Sequence, residues 1–153
     1  MQGFSHEDVQ LIHRPDGYAL LRYDLIYTCE LGQDHIAHLG MPTDGISIPP
    51  RLTGIARISH FRSPYLRIAL IHDHYCYQAL RLPPGEQRDA LRLKGDRLFY
   101  QGSKFLVPEK PNKAWVMYRC VRIGAWSSRK EEAWPSYITN YDAFMRKLLT
   151  LAP

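Results

Sequence analysis

Several things are missing from this 153-residue sequence, and each absence removes a class of protein. No apolar run approaches membrane-span length, which excludes a helical membrane protein. The start, MQGFSHEDVQLIHRPDG, lacks a basic segment followed by an apolar one, so no secretory leader is expected. The protein is then expected to be cytoplasmic as synthesised, becoming virion-associated or exported only by another route. Cysteine is scarce, odd in number and scattered (Cys29, Cys76, Cys120), with no CxxC pair. That excludes a disulfide framework and suits a reducing compartment. Each thiol sits in an apolar context and reads as a small buried hydrophobe. There is no internal repeat, low-complexity tract or long linker, and one domain spanning 1–153 is expected.

Acidic residues are the minority, 15 against 20 Lys and Arg, for a net charge of +5. The basic residues are spread rather than blocked, and no nucleic-acid fold signature accompanies them. The surface suits a polyanionic neighbour such as a cell-wall polymer, an acidic protein or, not excluded, nucleic acid. A plain solvated basic face is the alternative.

What is present centres on Leu66–Gln78, LRIALIHDHYCYQ. At the helical period Tyr65, Ile68, Ala69, His72, Cys76 and Ala79 share a face, so His72 lies in the core-facing stripe. Asp73 and His74 follow it round the helix. Ionisable groups inside an apolar helix are costly unless partnered, so partners must come from elsewhere in the chain.

Residues 1–16 read as an irregular lead-in to the Pro15-Asp16-Gly17 turn. Tyr18–Leu31 reads as a strand bulged near Asp24, and His35–Met41 as its hairpin partner. His35 and His38 lie on opposite faces of that strand, so they cannot join in one metal site. Pro42–Arg51 is a proline-stiffened loop displaying Thr43, Asp44 and Ser47. Leu52–His60 suits a short helix. Ser63 and Pro64 start the central helix, which stops at Leu82-Pro83-Pro84-Gly85. Glu86–Gln101 is the next helix, ended by Gly102. Asn112–Trp126 is a mostly buried helix, and an amphipathic helix spans Asn140–Leu149 (about 139–150 with its Thr139 cap). The layout is α+β: an N-terminal antiparallel hairpin or small sheet against three to four helices.

Four segments, taken in order, resemble the motifs of DUF1353, a family of small phage and prophage proteins. LGMPTDGISIPPR, ending at Arg51, resembles its G-F-x-T-D-x-A-S-x-P-R segment. LRIALIHDHYCY is similar to A-x-x-H-D-x-L-Y, RLKGDRLFYQ to R-x-x-A-D-x-x-F, and AWVMYRCVRIGAW to the closing M-Y-x-A-V-R-x-x-G helix. Together they cover about residues 35–126. The resemblance implies that Thr43, Asp44, Ser47, His72, Asp73, Arg92 and Asp96 are the positions of interest. Met41 stands where the pattern has Phe, Pro50 doubles the proline, and His74 follows the HD pair. Gly95 stands where the pattern has Ala. It weakens the helix by roughly 1 kcal/mol but lets another backbone approach.

Asp44, His72, Asp73 and Asp96 come from three separate segments, and a helical hairpin would place Asp96 near His72 or Asp73. Two chemistries suit such a set. Asp44, His72 and Asp96 form an N/O ligand set for zinc, manganese or iron(II), which would activate a bound water. Alternatively His72 is a general base held by Asp96 or Asp44, activating Ser47, Thr43 or water. Thr43, Arg92 and His74 then fall to substrate binding, and Tyr75, Tyr77 and Tyr100 suit a cleft beside His74. No nucleophile elbow and no second histidine motif accompany them. The architectural alternative has Asp73 paired with Arg92 or Arg51, His72 bonded to Asp96, and Asp44 closing a turn. The expectation is a hydrolase, with or without a divalent metal, acting on a polymer such as peptidoglycan. Its alternative is a non-catalytic accessory, assembly or host-inhibiting protein with an acidic partner.

Overall fold

Strand pairing starts at the third residue in the computed structural model, which describes residues 1–15, 18–43, 45–46 and 62–127. The N-terminal stretch expected to be irregular holds β1 (Gly3–Phe4) and β2 (Leu11–His13). The expected single strand Tyr18–Leu31 is instead β3 (Ala19–Leu21) and β4 (Leu25–Thr28), broken at 22–24. The break is silent in the hydrophobic pattern. Ala19, Leu21, Leu25, Tyr27 and Cys29 all point inward, so the alternation keeps its phase across the bend. What turns the chain is hydrogen bonding. Asp24 Oδ1 accepts the Leu39 amide at 2.7 Å, and the Leu21 and Gly40–Met41 backbones exchange bonds beside it.

The hairpin partner is β5 (Asp34–Ala37), and β6 (Pro42–Thr43) follows. Two antiparallel three-stranded sheets result, ordered β1-β4-β5 and β2-β3-β6. Their registers pair Leu25 with Ala37 and Ala19 with Thr43.

Three helices follow: α1 (Leu66–Leu80), α2 (Glu86–Leu106) and α3 (Pro111–Ser127). β4 and β5 pack on one side of α1, α2 packs on another, and α3 packs on α2. Because α1 is covered from several sides, Leu66, Ile68, Ala69, Leu70, Ile71, Tyr75 and Tyr77 are all buried. Ser63 does not sit next to the first helical residue as expected. Its hydroxyl accepts the Tyr65 amide and its carbonyl the Leu66 amide, forming the turn that leads in. The α+β layout is thus as expected. The helices suggested at 52–60 and 140–149 lie outside the described residues.

Two expectations for the helices need correction. α2 runs through Gly102 to Leu106, and α3 is buried on one side only, with Trp115 at 53% and Val116 at 36% exposure. Gly102 ends nothing because its role is contact: a β-carbon there would run into the Ile68 side chain of α1. Gly95 acts likewise, for a β-carbon would stand 2.8 Å from Tyr75 Cβ. Two glycines seven residues apart therefore notch the face of α2 that meets α1. Alanine is the better helix former by about 1 kcal/mol, yet Gly95→Ala and Gly102→Ala are expected to lower stability by roughly 1–3 kcal/mol each through overpacking. Urea denaturation of both variants checks the sign.

Candidate functional site

His72 and Asp73 sit midway along α1, Asp96 faces them from α2, and Arg122 reaches in from α3. The centre is Asp96, whose side chain is 1% exposed. Its Oδ1 accepts His72 Nε2–H at 2.8 Å, and its Oδ2 accepts an Arg122 N–H at 2.7 Å. Burial disfavours its charge, but the His72 and Arg122 bonds outweigh burial and hold the carboxyl below the usual range.

His72 is 12% exposed and Asp73 13%. His72 Nδ1 lies 3.7 Å from Asp73 Oδ1, a charge contact too long for a hydrogen bond. Asp73 Oδ2 accepts the Thr43 hydroxyl at 3.0 Å, and Thr43 Oγ1 accepts the Gly45 amide at 2.9 Å. The Cys76 sulfur lies 3.7 and 3.9 Å from the two His72 ring nitrogens. The distances are near-equal, so neither nitrogen is singled out as its partner. Phe99 closes another side of the imidazole, edge to face at 5.7 Å. Burial alone would discharge His72. The neighbouring Cys76 sulfur and the Asp73 and Asp96 carboxylates outweigh it, and the ring stays protonated well above its ordinary range.

A polar chain thus runs from the end of β6 through α1 and α2 to α3. It contains two carboxyl groups, one imidazole and one guanidinium. His72 and Asp73 are slightly exposed and Arg122 more so, whereas Asp96 and Thr43 are sealed.

A family model described as "Protein of unknown function (DUF1353)" matches residues 19–121. The chain belongs to the DUF1353 family. A search of the curated proteins and a search of the solved structures found no match. The matched span starts at β3, so in this DUF1353 chain the family region takes in both strands of the hairpin, earlier than the motifs near residue 35 suggest.

Of the residues singled out in sequence, His72, Asp73, Asp96 and Thr43 do converge. Thr43 is fully buried and ties β6 to α1. Asp44 and Ser47, and the Arg51 considered for Asp73, lie outside the described residues. The cation on Asp96 is Arg122. His74 turns away to β5, accepting from the Gln78 amide at 2.7 Å and meeting the His38 ring at 5.4 Å. Tyr75 and Tyr77 are core residues rather than cleft walls, and Tyr77 donates to the Pro42 carbonyl. Tyr100 packs on Tyr118.

Arg122 is the member sequence reasoning missed. Its signal was the Val-Arg pair of the fourth motif, a guanidinium in the apolar run YRCVRI. Among the described residues no three His, Cys, Asp or Glu side chains form a group suited to a metal ion. Both Asp96 oxygens already face cations, and His72 Nε2 faces Asp96. Asp44, the third ligand expected of a metal site, lies outside the described residues.

Asp96→Asn is expected to cost about 3–5 kcal/mol, because it strands two cations on a buried site. Arg122→Ala is expected to cost about 1 kcal/mol or less, since that side chain is 43% exposed and solvent-screened. The pH dependence follows from the raised His72 value. The folded state holds a proton that the unfolded chain gives up near 6.5. This stabilisation is complete below that pH and is lost as pH rises through the higher folded-state value. Denaturant midpoints measured from neutral to alkaline pH are expected to fall in the wild type and to flatten in Asp96→Asn.

Proposed function

We propose that the protein is a hydrolase in which His72 donates a proton and Asp73 accepts one. A single observation carries this reading. The His72 imidazole, bonded to a sealed carboxylate and kept charged against burial by Cys76, Asp73 and Asp96, retains 12% exposure beside an equally exposed acid. A group held protonated beside one that can accept a proton supplies both roles of acid–base catalysis. In this scheme Asp73 takes the proton of an attacking water, and His72 protonates the leaving group. Asp96, itself held by Arg122, positions the ring and favours its charge. Catalysis by positioned acid–base groups contributes about 10²–10⁴-fold.

The substrate class is a polymer of the kind met by phage or prophage proteins, such as peptidoglycan. The net charge of +5 supports an acidic one. A second reading has its own support: both Asp96 oxygens are satisfied within the protein, as a purely architectural tie requires. The chain would then be a non-catalytic accessory protein whose basic surface meets an acidic partner.

The two readings part on turnover. The full chain is incubated with purified peptidoglycan sacculi and a panel of acidic polysaccharides, and soluble fragments are quantified. Wild type is expected to release them. Asp73→Asn, which keeps an acceptor for Thr43, and His72→Asn are expected to lose at least about 10² in rate with unchanged circular dichroism. No release from any polymer, or full activity in Asp73→Asn, would overturn the hydrolase and leave the accessory protein.

A further inference from the structure

A second titratable cluster lies where β5 docks on α1, at Tyr75, three residues on from His72. At its centre is His35, 4% exposed on the inward face of β5. Its Nδ1 pairs with the Tyr75 hydroxyl of α1 at 2.7 Å. Its Nε2 is buried and has no partner among the described residues. The ring packs edge-on to Tyr75 at 5.8 Å and lies 6.3 Å from Tyr27 of β4. The seat therefore joins β4, β5 and α1 around one neutral imidazole.

The surrounding charges are unfavourable to a second proton. From α2, Lys94 lies with its ammonium 5.2 Å from the Tyr75 ring. From α1, His74 stands edge-on to the same tyrosine at 5.7 Å, with Arg81 in its electrostatic surroundings. His38, just beyond β5, meets His74. β4 offers only the Tyr27 phenol and the Thr28 hydroxyl. The carboxylate that favours its charge is Asp34, which is exposed and already accepts the Thr28 hydroxyl at 2.7 Å. Burial first and Lys94 second push His35 below its ordinary value, with Asp34 opposing weakly.

We propose that His35 makes the β1-β4-β5 sheet an acid-released layer: charging the buried ring unseats it from Tyr75 and lets the sheet lift off α1. The sign follows from linkage. In the window below 6.5 the unfolded or opened chain binds a proton that the closed state excludes. Closure is thus fully favoured above that window and weakens as pH falls through it. The helices are not opened by the same event, because their tie is the His72–Asp96–Arg122 chain, whose imidazole is charged already. Sub-global opening of one sheet ahead of a helical core is the behaviour expected of a weakly held structural unit.

Hydrogen exchange of the full chain, read by mass spectrometry and normalised to intrinsic rates at each pH, tests this. In the wild type, protection of Leu25–Thr28 and Asp34–Ala37 is expected to fall by up to about tenfold per pH unit below the onset. Leu66–Leu80 should stay protected over that range. His35→Gln is expected to hold the sheet closed across the same range, and His74→Gln to open like the wild type. Should His35→Gln fail to fold, Tyr75→Phe takes its place: it keeps the titrating ring and must keep the acid response. Sheet and helices losing protection together would overturn the proposal. So would an acid response that persists in His35→Gln, disappears in His74→Gln or is absent from Tyr75→Phe.

Discussion

A single carboxylate, out of contact with water, carries the helical half of this protein. Removing a charged group from solvent is tolerable only when its lone pairs are answered at close range. Asp96 meets that demand with one oxygen toward α1 and the other toward α3. Each bond is directional, so the demand fixes geometry as well as energy. The three helices cannot rotate or slide independently without exposing a bare charge in the interior. The tie is specific in a way that apolar packing between the same helices is not, since a leucine accepts many rotations and a bridging carboxylate few.

The same chain of contacts carries the β-layer with it. Thr43 belongs to β6, yet its hydroxyl is committed to Asp73 of α1, and Tyr77 of α1 answers the neighbouring Pro42 carbonyl. Strand order thus reaches the charged group through two short bonds. Along this path polarity is graded. The interior member is sealed, the next pair is marginally wet, and the last guanidinium is largely hydrated. Chemistry with an outside molecule is confined to the wet end, and that is why His72 and Asp73, rather than Asp96, carry the proposed reaction.

Much of this was legible in the residues. The apolar helix interrupted by His-Asp announced buried charges in want of partners, and Asp96 was found because a helical hairpin must fold it back. The α+β order followed from strand-like residues preceding helical ones. Three things were hidden for physical reasons. The bend at 22–24 leaves the odd residues on either side of it, Ala19 and Leu21 before and Leu25 and Tyr27 after, in one inward phase, so periodicity cannot see it. Gly102 reads as a stop because glycine usually is one, whereas here the neighbouring helix supplies the reason for its presence. Arg122 is remote in sequence from Asp96, and a half-exposed arginine on an amphipathic helix looks like any other until α3 is placed. Asp44 and Ser47 stand apart from this comparison, being outside the described residues.

The paired glycines of α2 bear on how such a protein tolerates change. Where two helices touch backbone to side chain, their spacing is a property of the main chain and is not renegotiated each time a core residue is exchanged. Gly95 borders both Tyr75 and the His72 carbonyl, one position before the acid that His72 grips. Drift in the surrounding aliphatic packing can therefore proceed while the imidazole–carboxylate gap stays constant. The arrangement works as a mechanical gauge, insulating a short polar contact from the slow turnover of its greasy surroundings.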